Sequence, residues 1–163
     1  MNKIKKLSTL TLVFVIILCA FCACGREVVN DQAILKKIGH TELKTVSSNI
    51  TDTHGAFHND GVTFAVIELA EDSAAALTAD ITASPDWTGY PMNETVQTLV
   101  SNVLNKNDYI HIPEISNGYY QLVDRHADKN SDDDEFLSRS SYNFTLVIFN
   151  TDTNTLYYCE FDT

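Results

Sequence analysis

A disulfide framework and a Cys-x-x-Cys pair both need cysteines that this chain hardly has beyond its first 24 residues. Its 163 residues include four Cys, three Pro, six Gly and one Trp. Cys19, Cys22 and Cys24 fall in the first 24 positions, and Cys159 stands alone in the remainder. One thiol cannot close an intrachain bridge, so apolar side chains must hold the fold together. Cys159 lies in the run Leu156-Tyr-Tyr-Cys-Glu-Phe161 and reads as a small buried hydrophobe. Basic residues are short as well, since 11 Lys and Arg face 22 Asp and Glu for a net charge of −11. That balance excludes nucleic acid as a partner and disfavours tight contact with anionic lipid. A Gly-x-Ser-x-Gly elbow, a Gly-rich phosphate loop and a basic aromatic patch are all missing.

What is present begins with an address. Lys3, Lys5 and Lys6 precede an apolar stretch from Leu10 to Ala23 in which only Thr11 is clearly polar. A positive start, an apolar middle and a small residue at the end are the parts of a secretory signal. The segment Phe21-Cys22-Ala23-Cys24-Gly25 resembles the lipobox of bacterial lipoproteins, with Phe21 and Cys22 where Leu and a small residue are usual. The resemblance implies cleavage after Ala23 and acylation, palmitate included, on Cys24. An uncleaved membrane helix is the other reading of residues 7–23. Both readings leave the lysines inside and the rest of the chain outside, at the cell membrane. Loss of the three signal lysines changes the balance of residues 24–163 to 8 − 22 = −14.

The pattern divides into a signal peptide at 1–23, a lipidated tether at 24–30 and a single domain at 31–163. Asn30 or Asp31 can cap a short helix over 32–38 that Gly39 stops. Residues 43–53 and 61–70 read as a strand pair, with Val46 and Ile50 facing inward in the first. Asp72 can cap a helix over 72–83, which Ser84-Pro85 ends. Asn93 caps another, in which Val96, Leu99, Val100, Val103 and Leu104 form one apolar stripe. Residues 87–92 and 105–118 read as loops, and 127–138 as a polar acidic loop. Strands follow at 119–126, 142–149 and 155–161. The expected fold is α+β. An antiparallel sheet of about five strands carries two or three helices, after an N-terminal signal helix.

Three polar constellations could carry chemistry. Asp52-Thr-His54 and His58-Asn-Asp60 put two imidazoles and two carboxylates around one hairpin turn. That set suits zinc or acid–base work, and it is also what a polar turn prefers. Asp124-Arg-His126 repeats the Asp-x-His spacing at another strand end, which an extended backbone places on one face. If the two strand ends meet, the histidines converge; otherwise each is a strand-end feature. Asp128, Asn130 and Asp132 alternate like the start of a calcium loop, but Asp133 and Arg139 stand where Gly and Glu are required. No cofactor is called for, and calcium or zinc could bind only weakly.

Beyond the lipobox, the chain resembles small lipoproteins of Gram-positive bacteria. The resemblance rests on Asp52-Thr-His54-Gly55, Phe57, Asp60-Gly61, Trp87, Asn117-Gly-Tyr-Tyr120, Asp124-Arg-His126, Asn143-Phe-Thr145 and Thr153-Asn-Thr-Leu-Tyr157. It implies a location and no activity. The expected function is that of a non-enzymatic binding or envelope protein, lipid-anchored through Cys24, with a protein or small-molecule partner. The alternative is a metal-dependent or acid–base enzyme built on Asp52, His54, His58, Asp60, Asp124 and His126.

Overall fold

The apolar runs at 62–67, 144–149 and 156–161 all lie in one sheet. The structure is a computed structural model that describes residues 28–55, 60–126 and 133–163. The expected signal peptide at 1–23, Cys24 and His58 lie outside the described residues. Among the described residues there are six antiparallel strands: β1 (Thr45–Asp52), β2 (Gly61–Leu69), β3 (Thr88–Gly89), β4 (Gly118–Asp124), β5 (Asn143–Asn150) and β6 (Thr155–Asp162). Their spatial order is β1-β2-β6-β5-β4-β3. The helices are α1 (Asp31–Lys37), α2 (Glu71–Ala83), α3 (Glu94–Asn102) and α4 (Asp133–Ser138), with a short 3-10 turn at Leu104–Lys106. The class is α+β. The sixth strand is the two-residue β3, in a segment whose sequence reads as loop. Among the described residues no helix is long and apolar enough to cross a membrane.

Period-2 alternation sorts the sheet into two buried faces. On the first, Ala65, Ile67, Val147, Phe149, Leu156 and Tyr158 pack under Ile34 and Leu35 of α1 and Leu77 and Ile81 of α2. On the second, Phe64, Phe144, Leu146, Ile148, Cys159 and Phe161 pack under Val96 and Leu99 of α3, with Leu104, Ile110, Ile112 and Phe136. Burial on both faces explains why β2 and β5 are apolar almost throughout. Burying each Leu, Ile or Phe in these layers contributes about 1.5–3 kcal/mol. Cys159 is buried in the second layer, and burial pushes its thiol up, as a packed, unreactive sulfur should behave.

Local chemistry sets the element ends. The Asn30 side chain accepts from the Ala33 N–H and starts α1, and Asn93 does the same for α3 through Val96. Gly39, at φ +85°, closes α1. Its N–H donates to Lys36 O while the His40 N–H donates to Leu35 O, the paired bonds of a Schellman end. Asp72 does not cap α2, because the helix already starts at Glu71 with Ala70 as its N-cap. The Asp72 carboxylate instead accepts from the Ser73 N–H in the first turn, where the helix dipole favours it. A register shift between Thr45 and Ser47 interrupts the alternation of β1 and leaves Val46 64% exposed, so only Ile50 packs inward. Within the acidic segment at 127–138, residues 133–138 form α4. Phe136 anchors it edge-to-face against Tyr142 and Phe144. An apolar residue inside a charged run outweighed the charges around it.

Candidate functional site

The two Asp-x-His sequences prove to be the same local device. The Asp52 carboxylate accepts from the His54 N–H at 3.1 Å, and Asp124 accepts from the His126 N–H at 2.9 Å. An Asp that bonds the backbone two residues on makes an Asx turn, which breaks the strand just after the aspartate. β1 and β4 accordingly stop at Asp52 and Asp124, two residues before the end expected for β4.

The two devices point to opposite sides of the sheet. Asp124 continues the alternation of the buried Tyr120 and meets Arg139 Nη1 at 2.7 Å, while that guanidinium lies over the Phe136 ring. Asp124 is thus on the α3–α4 side. Burial alone would raise its carboxyl, but the His126 N–H and Arg139 hold it below the ordinary value. Asp52 pairs across to Thr63 and stands on the α1–α2 side. Three strands separate β1 from β4, or about 19 Å at ~4.8 Å per strand. No common metal-ligand group among the described residues joins His54 to His126. His126 Nδ1 is buried without a hydrogen-bond partner there. Asp60 is exposed beside β2, and its carbonyl accepts from the Gly55 N–H. The five described residues of this set, Asp52, His54, Asp60, Asp124 and His126, therefore do not form one site. The calcium-like alternation at 128–132 lies outside the described residues.

What the structure does assemble is a line of charge along the open part of the α1–α2 face. His54 Nδ1 lies 2.7 Å from Asp52 Oδ1, and its Nε2 lies 3.1 Å from Asp162 Oδ2. Asp162 Oδ1 accepts from Arg125 Nη2 at 2.8 Å. Arg125 Nη1 reaches Glu160 Oε1 at 3.4 Å, and Glu160 Oε2 accepts from Lys37 at 2.6 Å and from the Tyr158 hydroxyl at 2.8 Å. Arg125, the residue between Asp124 and His126, joins this network because the pleat sends it to the other face from its neighbours. Both nitrogens of His54 are occupied by carboxylates, so it clasps β1 to β6 across β2. A general base needs a nitrogen free for the substrate proton.

Burial of Glu160 would raise its carboxyl, but Lys37, the Tyr158 hydroxyl and Arg125 outweigh that and hold it below its ordinary 4.5. A depressed carboxylate stabilises the fold above its unfolded value, and that contribution is lost as pH falls through the folded value. Glu160→Gln should therefore be less stable than wild type at pH 7, with the gap narrowing below pH 4.5. Urea melts at both pH values measure it; a gap that stays constant down to pH 3 would contradict the assignment.

On the opposite side of the sheet lies a cleft of about 580 Å³. Tyr90, Met92, Val100 and Ile115 supply apolar walls, and Gln97 and Glu114 add polar groups. The α3 stripe and the loop after it build it together. Val100 and Val103 are only partly buried, and Asn105 holds the loop by bonding both the N–H and the carbonyl of Ile112. Tyr90 packs edge-to-face on Tyr120 at 6.1 Å, and burial, with Tyr120 and Tyr157 nearby, pushes its phenol up. Ser101 and Asn105 also line it, and the size and the mix of apolar walls with polar groups suit a small molecule.

No known protein family, curated protein or solved structure matches this chain. The cleft and the Arg125–Asp162–Glu160 line were both missed from the sequence. A signal for the line exists: Glu160 and Asp162 alternate in an otherwise apolar strand, which puts two carboxylates on one face. The cleft had no such signal, because its walls come from the segment before α3, α3 itself and a loop.

Proposed function

We propose that this chain is an extracytoplasmic, lipid-anchored binding protein, and that the cleft between α3 and residues 112–115 takes a small, largely apolar ligand. The observation that carries the binding reading is the cleft: about 580 Å³, with Tyr90, Met92, Val100 and Ile115 as walls. Met92 adds adaptability, since a thioether side chain repacks around different shapes. The anchoring half rests on Lys3, Lys5 and Lys6, the apolar stretch after them, and Ala23-Cys24-Gly25. Two or more acyl chains hold a protein to a membrane where one barely does. Against the enzyme reading stand the two Asp-x-His turns on opposite faces, and a His54 with both nitrogens engaged.

Two measurements test the halves separately. Growth of an expressing bacterium in labelled palmitate should label the wild-type chain and leave Cys24→Ala unlabelled; label on both would remove the anchor. For the cleft, the probe is the neutral fluorophore N-phenyl-1-naphthylamine, since a charge of −14 on residues 24–163 repels anionic dyes. Residues 26–163, which contain both cores, should bind it saturably. Val100→Trp, which fills the cleft, should weaken binding at least tenfold. Equal binding by the two proteins would place the probe elsewhere and end the reading.

A further inference from the structure

Where α1 runs into the loop before β1, His40 and Glu42 meet Asp80 of α2. His40 Nδ1 lies 3.6 Å from Glu42 Oε1 and 3.7 Å from Asp80 Oδ2, and the three ligand atoms all lie within 4.8 Å of one another. These separations are too long for hydrogen bonds. They suit two ligands of one ion, because atoms ~2.0–2.1 Å from a tetrahedral zinc stand about 3.4 Å apart.

Three further observations point to a cation. First, the imidazole is held in place: its backbone N–H closes the Schellman end of α1, and its side chain is only 15% exposed. Second, Asp80 sits in the last turn of α2, where the helix dipole is negative, and that turn has no basic residue. An acid there is destabilising, and a second carboxylate close by adds repulsion. Third, among the described residues no Lys or Arg forms an ion pair with Glu42 or Asp80; each has only His40. A divalent ion would relieve both repulsions at once.

We propose that His40 Nδ1, Glu42 and Asp80 bind one divalent transition-metal cation, with Zn²⁺ the ion whose ligand preferences they fit. One imidazole and two carboxylates are a borderline donor set, and the carboxylates, each more than half exposed, leave the outer positions to water. Calcium fits poorly, because it takes six to eight oxygen donors and gains nothing from an imidazole. The bound ion ties the α1–β1 loop to α2. This site is separate from the cleft and from the His54 network, and neither reading depends on the other.

The test uses the full chain in a nonionic detergent, stripped with chelator and titrated with ZnCl₂ by calorimetry. One Zn²⁺ per chain is expected. Asp80→Asn and Glu42→Gln should each weaken binding at least tenfold, and His40→Ala should abolish it. His111→Ala, at an exposed histidine on another loop, should leave it unchanged. Zn²⁺ should also raise the melting temperature of the wild type and not of His40→Ala, since an ion that binds only the folded state stabilises it. Circular dichroism checks that each variant is folded, and Asp80→Asn changes an exposed side chain that the core does not need. Absence of stoichiometric binding overturns the proposal, as does undiminished binding by His40→Ala. CaCl₂ binding as tightly as ZnCl₂ would overturn it too, by reducing the site to an acidic patch.

Discussion

Phe144→Ala should remove about 3–5 kcal/mol of folding stability, the range for truncating a buried aromatic. Phe144 is fully buried on the α3–α4 side of β5. It stacks on Phe161 with ring centroids 5.5 Å apart and interplanar angle 8°, and meets Phe136 and Tyr142 edge-to-face at 5.8 and 6.1 Å. The substitution leaves a cavity that β5 cannot close, because strands on both sides hold it in register. It also takes away a ring on which Phe136, the buried anchor of α4, rests. A domain of this length has about 5–15 kcal/mol in all, so the variant should melt far below the wild type. A loss under 1 kcal/mol in urea would mean that the ring cluster does not organise this layer.

Gly118→Ala and Gly61→Ala should cost about 1–3 kcal/mol each or more, while Gly89→Ala changes little. A Cβ on Gly118 would stand 2.2 Å from Phe149 O, and one on Gly61 would stand 2.4 Å from His54 Cα. Both obstacles are backbone, which cannot swing aside as a flexible side chain can. At Gly89 the nearest atoms, on the Tyr119 ring, lie 3.9 Å away, which is ordinary contact. The Gly61 variant has a second readout. It must push Thr53–His54 outward, which lengthens the His54–Asp162 contact and frees the end of β1. Amide hydrogen exchange should then speed up at Thr53, whose N–H donates to Val62 O, and remain unchanged at Tyr90, bonded to Gly118 O. If Gly61→Ala matches Gly89→Ala in stability, the close approach at His54 is not what requires glycine.

Local chemistry was legible in the sequence where one segment decides its own structure. The Asn30 and Asn93 caps, the Gly39 stop, the apolar β2 and β5, and the buried Cys159 all follow from neighbours a few residues away. The α3 stripe gave Val96, Leu99 and Leu104 as core, but Val100 and Val103 stay partly open and Val100 lines the cleft. It also suggested too long a helix, because the helix stops at Asn102 and Leu104 is buried through a 3-10 turn. What was hidden depends on distant pairing. The two Asp-x-His motifs look equivalent in sequence, yet β1 and β4 bring them to the sheet with opposite faces up. Register decides that, and spacing within one motif carries no register. Besides Asp52, His54 meets Asp162, 108 residues away and on a strand inserted next to β2. His40, Glu42 and Asp80 were equally invisible, since the fold of α1 against α2 is what gathers them.

The place of β6 has a consequence for how the domain comes into being. β1–β2 and β4–β5 are each sequence-ordered antiparallel pairs, but only β6 joins one pair to the other. Until it inserts, β2 and β5 each have an unpaired apolar edge, the kind that templates aggregation. A chain synthesised from its amino end exposes both edges for as long as β6 is still to be made. Because β5 and β6 are joined by a short turn, folding would then be governed by the slow, non-local pairing of β2 with β6. The time spent waiting for it is when the protein is most exposed to proteases and to other unfolded copies.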